Sequence, residues 1–140
     1  MQFVCDATSG ATWFRLDTEA EAEAEARLMR HAIDKYFHRC AAAARESYRA
    51  PVGAPTFEHA IGLKDHIARA MPIFLTLRAD DGAGLASAML PPLGRNQANF
   101  RTIIVGPANA DPYALHMPAI DALGAHYGLL LPRAECFPYA

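Results

Sequence analysis

Six histidines give the chain its first candidates for chemistry. His31 and His38 stand seven residues apart with Asp34 between them, and His59 and His66 repeat that spacing with Asp65 beside His66. Two helices side by side could offer nitrogen and oxygen ligands to a divalent cation in this way. Spacing argues against it. Seven residues put two histidines about 10 Å apart along a helix axis, too far to share one ion. The four-residue H-E-x-x-H pattern of zinc hydrolases is absent. On one continuous helix His31 and His38 also fall about 190° from Met29, opposite the apolar stripe. We therefore expect no metal at His31, His38, His59 and His66, which read as members of solvated faces, and no cofactor.

A second candidate is the loop before a hydrophobic strand. Arg95, Asn96, Gln97, Asn99 and Arg101 place two guanidinium groups and three amides within seven residues. Guanidinium forks bind carboxylates or phosphates through paired hydrogen bonds, and amides orient what is bound. The expectation is a site for a small anionic ligand at Arg95, Asn96, Asn99 and Arg101. Third comes the junction Gly106–Pro112, where Asp111 can cap a helix and His116 lies one turn in. His116 is the weak candidate for a general acid or base.

Nucleophiles find less support. No G-x-S-x-G elbow occurs. Cys5, Cys40 and Cys136 are an odd number, far apart and in no C-x-x-C pair, as expected of reduced thiols in a cytoplasm. The start of the chain lacks a basic, apolar leader, and no run approaches the ~20 apolar residues of a membrane span. A net charge of -2, with 52% hydrophobic and 20% charged residues, fits a folded soluble protein and argues against a nucleic-acid-coating surface.

The elements that must position these residues follow from pattern. Gln2–Cys5 and Ala11–Leu16 read as strands joined by a turn at Ser9-Gly10. Thr18 with Glu21 forms a capping box at the head of one helix expected to run unbroken to about Tyr48. Glutamates crowd its start and arginines its end, in line with the helix dipole. Met29, Ile33, Tyr36, Phe37, Cys40 and Ala44 fall within about 100° of one another and form the expected core stripe. Ala22 and Ala26 extend it thinly, leaving an alanine-lined face open to another helix of this chain or of a second copy.

After the break at Pro51–Pro55 a second helix runs from Thr56 to about Met71, with Phe57, Ala60, Ile61, Leu63, Ile67 and Met71 as its expected buried side. Gly62 weakens it by roughly 1 kcal/mol, so packing must hold it or the helix breaks there. Ile73–Arg78 alternates as a strand, with Phe74, Thr76 and Arg78 on one face. Asp80-Asp81-Gly82 turns it into the strand Gly84–Leu90. Phe100–Val105 is a further strand. Pro118 leaves two choices for the last helix: it is kinked, or it starts near Pro118; Gly128 closes it in either case. Leu129–Leu131 reads as a short final strand.

Residues 1–140 thus read as a single α+β domain. About five strands, antiparallel or mixed, pack against one long helix and two shorter ones on one face. Without recognisable catalytic machinery, the expected function is that of a binding or regulatory module of bacterial type, homodimeric through the long helix. The alternative is a small-molecule enzyme in which the arginine loop holds an anion and His116 moves a proton.

Overall fold

The computed structural model describes residues 1–93 and 100–140. In chain order the elements are β1 (Gln2–Asp6), β2 (Thr12–Arg15), α1 (Glu19–Met29), α2 (Ile33–Ser47), α3 (Thr56–Ala70), β3 (Ile73–Arg78), β4 (Gly84–Leu90), β5 (Ile103–Val105) and α4 (Tyr113–Tyr127). The five strands form one antiparallel sheet in sequence order, with α1–α3 inserted between β2 and β3. Register places Thr76 opposite Phe14 and Ser87, and Ser87 opposite Val105. Along the free edge of β5 runs the tail: Phe137 pairs with Ile103, and its amide donates to the Thr102 carbonyl at 2.8 Å.

Helices cover both faces of this sheet, not one. Trp13, Leu75, Leu77, Ala88 and Ile104 meet Ile120 and Leu123 of α4 on the first face. On the second, Leu16, Phe74, Met89, Ile103 and Val105 meet Ala22, Ala26, Ile33, Phe37 and Ala44 of α1 and α2. Double coverage explains why β3 and β4 are buried almost throughout instead of on alternate residues.

The uninterrupted helix expected from Thr18 to Tyr48 is two helices. The capping box at Thr18 and Glu21 forms as expected, but α1 ends at Arg30, which takes left-handed backbone angles (φ 56°, ψ 52°). The amide of His31 returns to the Ala26 carbonyl at 3.2 Å, and α2 restarts at Ile33. Neither glycine nor proline marks the break. A left-handed non-glycine residue costs about 1–2 kcal/mol, offset here because reversal buries both halves of the stripe. Glu19 at the head of α1 lies 3.8 Å from Arg45 near the end of α2, and Glu23 lies 3.2 Å from His38, so the helices run antiparallel. The alanine-lined face is covered by the same chain.

α3 departs from its expected burial. None of its side chains is fully buried, and Phe57 (64%) and Ile61 (57%) stand well exposed. Only its end engages the core, through Ile67 and the following Met71. α4 is kinked at His116 (φ -128°), two residues before Pro118, and Gly128 closes it in the left-handed region. Leu129–Leu131 is no strand: the Leu129 amide donates to the Gly124 carbonyl at 2.8 Å, and the Leu131 carbonyl accepts from the Tyr113 hydroxyl at 3.0 Å. No described helix is long and apolar enough to cross a membrane.

Candidate functional site

Three polar side chains are fully buried among the described residues: Glu25, Thr76 and Ser87. They lie together between α1 and the sheet. Glu25 sits three residues after Ala22 and four before Met29, so the turn of the helix carries it onto the buried stripe. Thr76 and Ser87 are register partners on β3 and β4, and alternation turns both toward α1.

Their hydrogen bonds form a chain. The Arg78 guanidinium donates to Glu25 Oε1 at 2.6 Å and, through Nε, to Thr76 Oγ1 at 2.9 Å. The Ser87 hydroxyl donates to Glu25 Oε2 at 2.6 Å. His31 Nε2 lies 2.8 Å from Ser87 Oγ. A serine hydroxyl has one hydrogen, and Glu25 takes it, so Ser87 accepts from His31 and the neutral ring carries its proton on Nε2. The Ile33 amide, 3.4 Å from Nδ1, makes a long bond to the free lone pair and agrees with that tautomer.

His31 owes this position to the helix break. On a continuous helix it would point to solvent; after the left-handed turn at Arg30 its ring faces the sheet. Burial holds its basicity below the ordinary histidine range, against the opposing pull of Glu25 and Asp34.

One side of His31 opens on a cleft of about 310 Å³ at the β5 end of the sheet. Its walls are Ile33 and Tyr36 of α2, Met89 of β4, Ile103 and Val105 of β5, and Phe137 and Pro138 of the tail, with Asn109 at the rim. Asn109 and its neighbour Ala108 both adopt positive φ (61° and 55°). Asparagine adopts this region readily, but at Ala108 it costs of order 1–2 kcal/mol. The other side of His31 borders an open groove lined by Glu23, Arg27, Asp34 and Lys35.

The other sequence candidates are dispersed. His38 lies at the surface between Glu19 and Glu23, 3.5 and 3.2 Å away. His66 meets the Ser47 hydroxyl at 2.7 Å and stacks near Tyr48, while His59 is half-buried on α3. No group of three or more metal-ligating side chains converges among the described residues. Arg95, Asn96, Gln97 and Asn99 lie outside the described residues. Arg101 is described, stacked 5.3 Å above the Phe137 ring beside a cleft lined by Phe100, Thr102 and Glu135. His116 occupies the kink of α4, and among the described residues no hydrogen bond or ion pair joins it to Arg101. Asp111 accepts from the Tyr113 amide at 2.9 Å and from Arg133 Nε at 2.7 Å, a brace for the tail. Cys40 is half-buried rather than core, and burial raises the pKa of all three thiols, which leaves them poor nucleophiles.

Sequence reasoning missed Glu25, Ser87 and Thr76 as a unit. Glu25 was hidden among alternating glutamates, although its spacing from Ala22 and Met29 is a readable signal. The convergence of His31 had none, because it depends on the break at Arg30. Compared with models of protein families, with curated proteins and with solved structures, the chain matches none.

Proposed function

We propose that this chain is a small-molecule-binding module whose ligand occupies the cleft between the start of α2, the β4–β5 edge and the tail. One observation carries the reading: an apolar cleft of about 310 Å³ meets a histidine held in one tautomer by a buried network. Its size is at the small end of ligand cavities, which favours a compact molecule over a nucleotide. Apolar walls supply affinity through buried area, and His31 and Asn109 supply direction. The enzyme alternative, built on His116 and the arginine loop, has no contact among the described residues to favour it.

Methyl-labelled methionine NMR tests the reading directly. Among the five methionines, Met89 alone lines the cleft. Titration with octanol, a compact apolar probe, is expected to move the Met89 methyl and leave Met1 and Met117 in place. Val105→Phe, which fills the cleft, is expected to abolish that shift. An unmoved Met89 at saturating octanol overturns the proposal.

Self-association is a second part of the reading, now supported by α3 instead of a long helix. Phe57 and Ile61, one helical turn apart, form an exposed apolar strip that a second copy would cover.

A further inference from the structure

The direction of the hydrogen-bond chain constrains what the cleft can receive. Nε2–H of His31 is committed to Ser87, Ser87 to Glu25, and Glu25 is matched in charge by Arg78. Behind the ring, then, formal charge is already balanced. The only position left for a second proton is Nδ1, which lies 3.4 Å from the Ile33 amide. Protonated there, the ring would set N–H against N–H, two donors with no acceptor between them.

Nothing in the cleft relieves that conflict. None of its lining residues is acidic. The charged side chains that line the groove on the outer side of His31 are Glu23 and Arg27 of α1 and Asp34 and Lys35 of α2, two of each sign. Tyr36, also on the cleft wall, has the Arg39 guanidinium 5.5 Å above its ring on the same helix. β3 contributes Arg78, already spent on Glu25, and β4 only Ser87. Burial accordingly disfavours the protonated ring when the cleft is empty. With Nδ1 protonated, the ring N–H and the Ile33 amide would both lack an acceptor, and both residues line the cleft.

We propose that the ligand is a small organic acid, its apolar body along Ile33, Met89, Val105 and Phe137 and its carboxylate displacing the Ile33 amide from Nδ1 to accept from both that amide and Nδ1–H, so that binding takes up one proton. The proposal rests on the cleft being a binding site. A carboxylate has two acceptor oxygens, one for each of two neighbouring donors. Its charge is answered by the imidazolium it creates, so no unpaired charge is left in an apolar site.

Octanoate and octanol separate this inference from the reading on which it rests. Each is titrated into the full chain and followed by Met89 methyl NMR. Calorimetry in two buffers of different ionisation enthalpy counts the protons bound. Octanoate is expected to move Met89 with uptake of close to one proton above neutral pH. Its affinity then falls about tenfold per pH unit over that range, while octanol affinity stays flat. His31→Gln is expected to remove the proton uptake, and Trp13 fluorescence reports whether that variant is folded. If octanol moves Met89 and octanoate does so without proton uptake, the acid proposal fails and the cleft remains a site for neutral molecules. If neither moves Met89, both fail.

Discussion

Ser87 on β4 and Glu25 on α1 meet at 2.6 Å with both side chains fully buried, a polar tie between the helical hairpin and the sheet. Glu25 also takes the Arg78 guanidinium, so removing it orphans two donors at once. Glu25→Ala is expected to destabilise the fold by about 3 kcal/mol, toward the low end for a broken buried pair because Arg78 retains some solvent contact. Glu25→Gln keeps one acceptor for Arg78 and should cost about half as much. Urea unfolding followed by the single tryptophan, Trp13, measures both. A Glu25→Gln variant as stable as the wild type, beside a costly Glu25→Ala, would mean that packing volume, not hydrogen bonding, is what Glu25 supplies.

His31 makes stability depend on pH with a definite sign. Its basicity is held below the ordinary value in the fold, so the unfolded chain binds the proton more readily. The contribution is complete above the unfolded pKa, about 6.5, and is lost as pH falls through the lower folded value. Between about pH 7 and pH 5 the wild type should therefore lose more stability than His31→Gln. Parallel slopes for the two proteins would show that His31 does not sense the fold.

Much of the framework was legible because it rests on local pattern. The hairpin of Ile73–Arg78 and Gly84–Leu90, the Thr18–Glu21 cap and the Gly128 stop all depend on residues within a few positions of one another. What escaped depends on distant partners. The break at Arg30 has no breaker residue, and its benefit lies in pairing Ala22 and Ala26 with α2. The orientation of His31, and with it the candidate site, follows from that break. The exposure of Phe57 and Ile61 escaped for the same reason: an amphipathic stripe states which side is apolar, not whether anything covers it.

Gly62 answers a question of helix propensity. A Cβ there would collide with the Tyr48 hydroxyl, so the glycine permits α3 to pass close to the end of α2. In the wild type Gly62→Ala should gain less than alanine's intrinsic helix preference, because the Tyr48 ring must shift. In a Tyr48→Ala background the same change should stabilise by about 0.8–1 kcal/mol. Thermal melts of the double-mutant cycle decide it, and an equal effect in both backgrounds would exclude the steric account.

Acid should loosen the tail through Asp111. The Tyr113 amide first, then Arg133, hold its carboxyl below the usual carboxylate range. Their benefit is present above the unfolded pKa near 4 and is lost as pH falls through the folded value. Carboxyl NMR should find Asp111 titrating below a peptide aspartate, and Arg133→Ala should move it part of the way back. With Arg133 gone, its stack over Tyr139 at 4.4 Å is lost as well, so the Tyr139 ring signals should shift in the same variant.

The break at Arg30 changes the argument for self-association. An unbroken helix would have offered its alanine face to a partner, but α1 and α2 bury that face against each other. Among the exposed apolar side chains, Phe57 and Ile61 lie one turn apart on α3, a helix that reaches the core only through its far end. Light scattering of the wild type should give the mass of a dimer, and Phe57→Glu with Ile61→Lys should give half of it. Both side chains are exposed, so Trp13 fluorescence and the urea midpoint of the monomeric form should be unchanged. A wild-type monomer would remove the dimer from the reading while leaving the cleft, which lies at the other end of α2 and draws on no residue of α3.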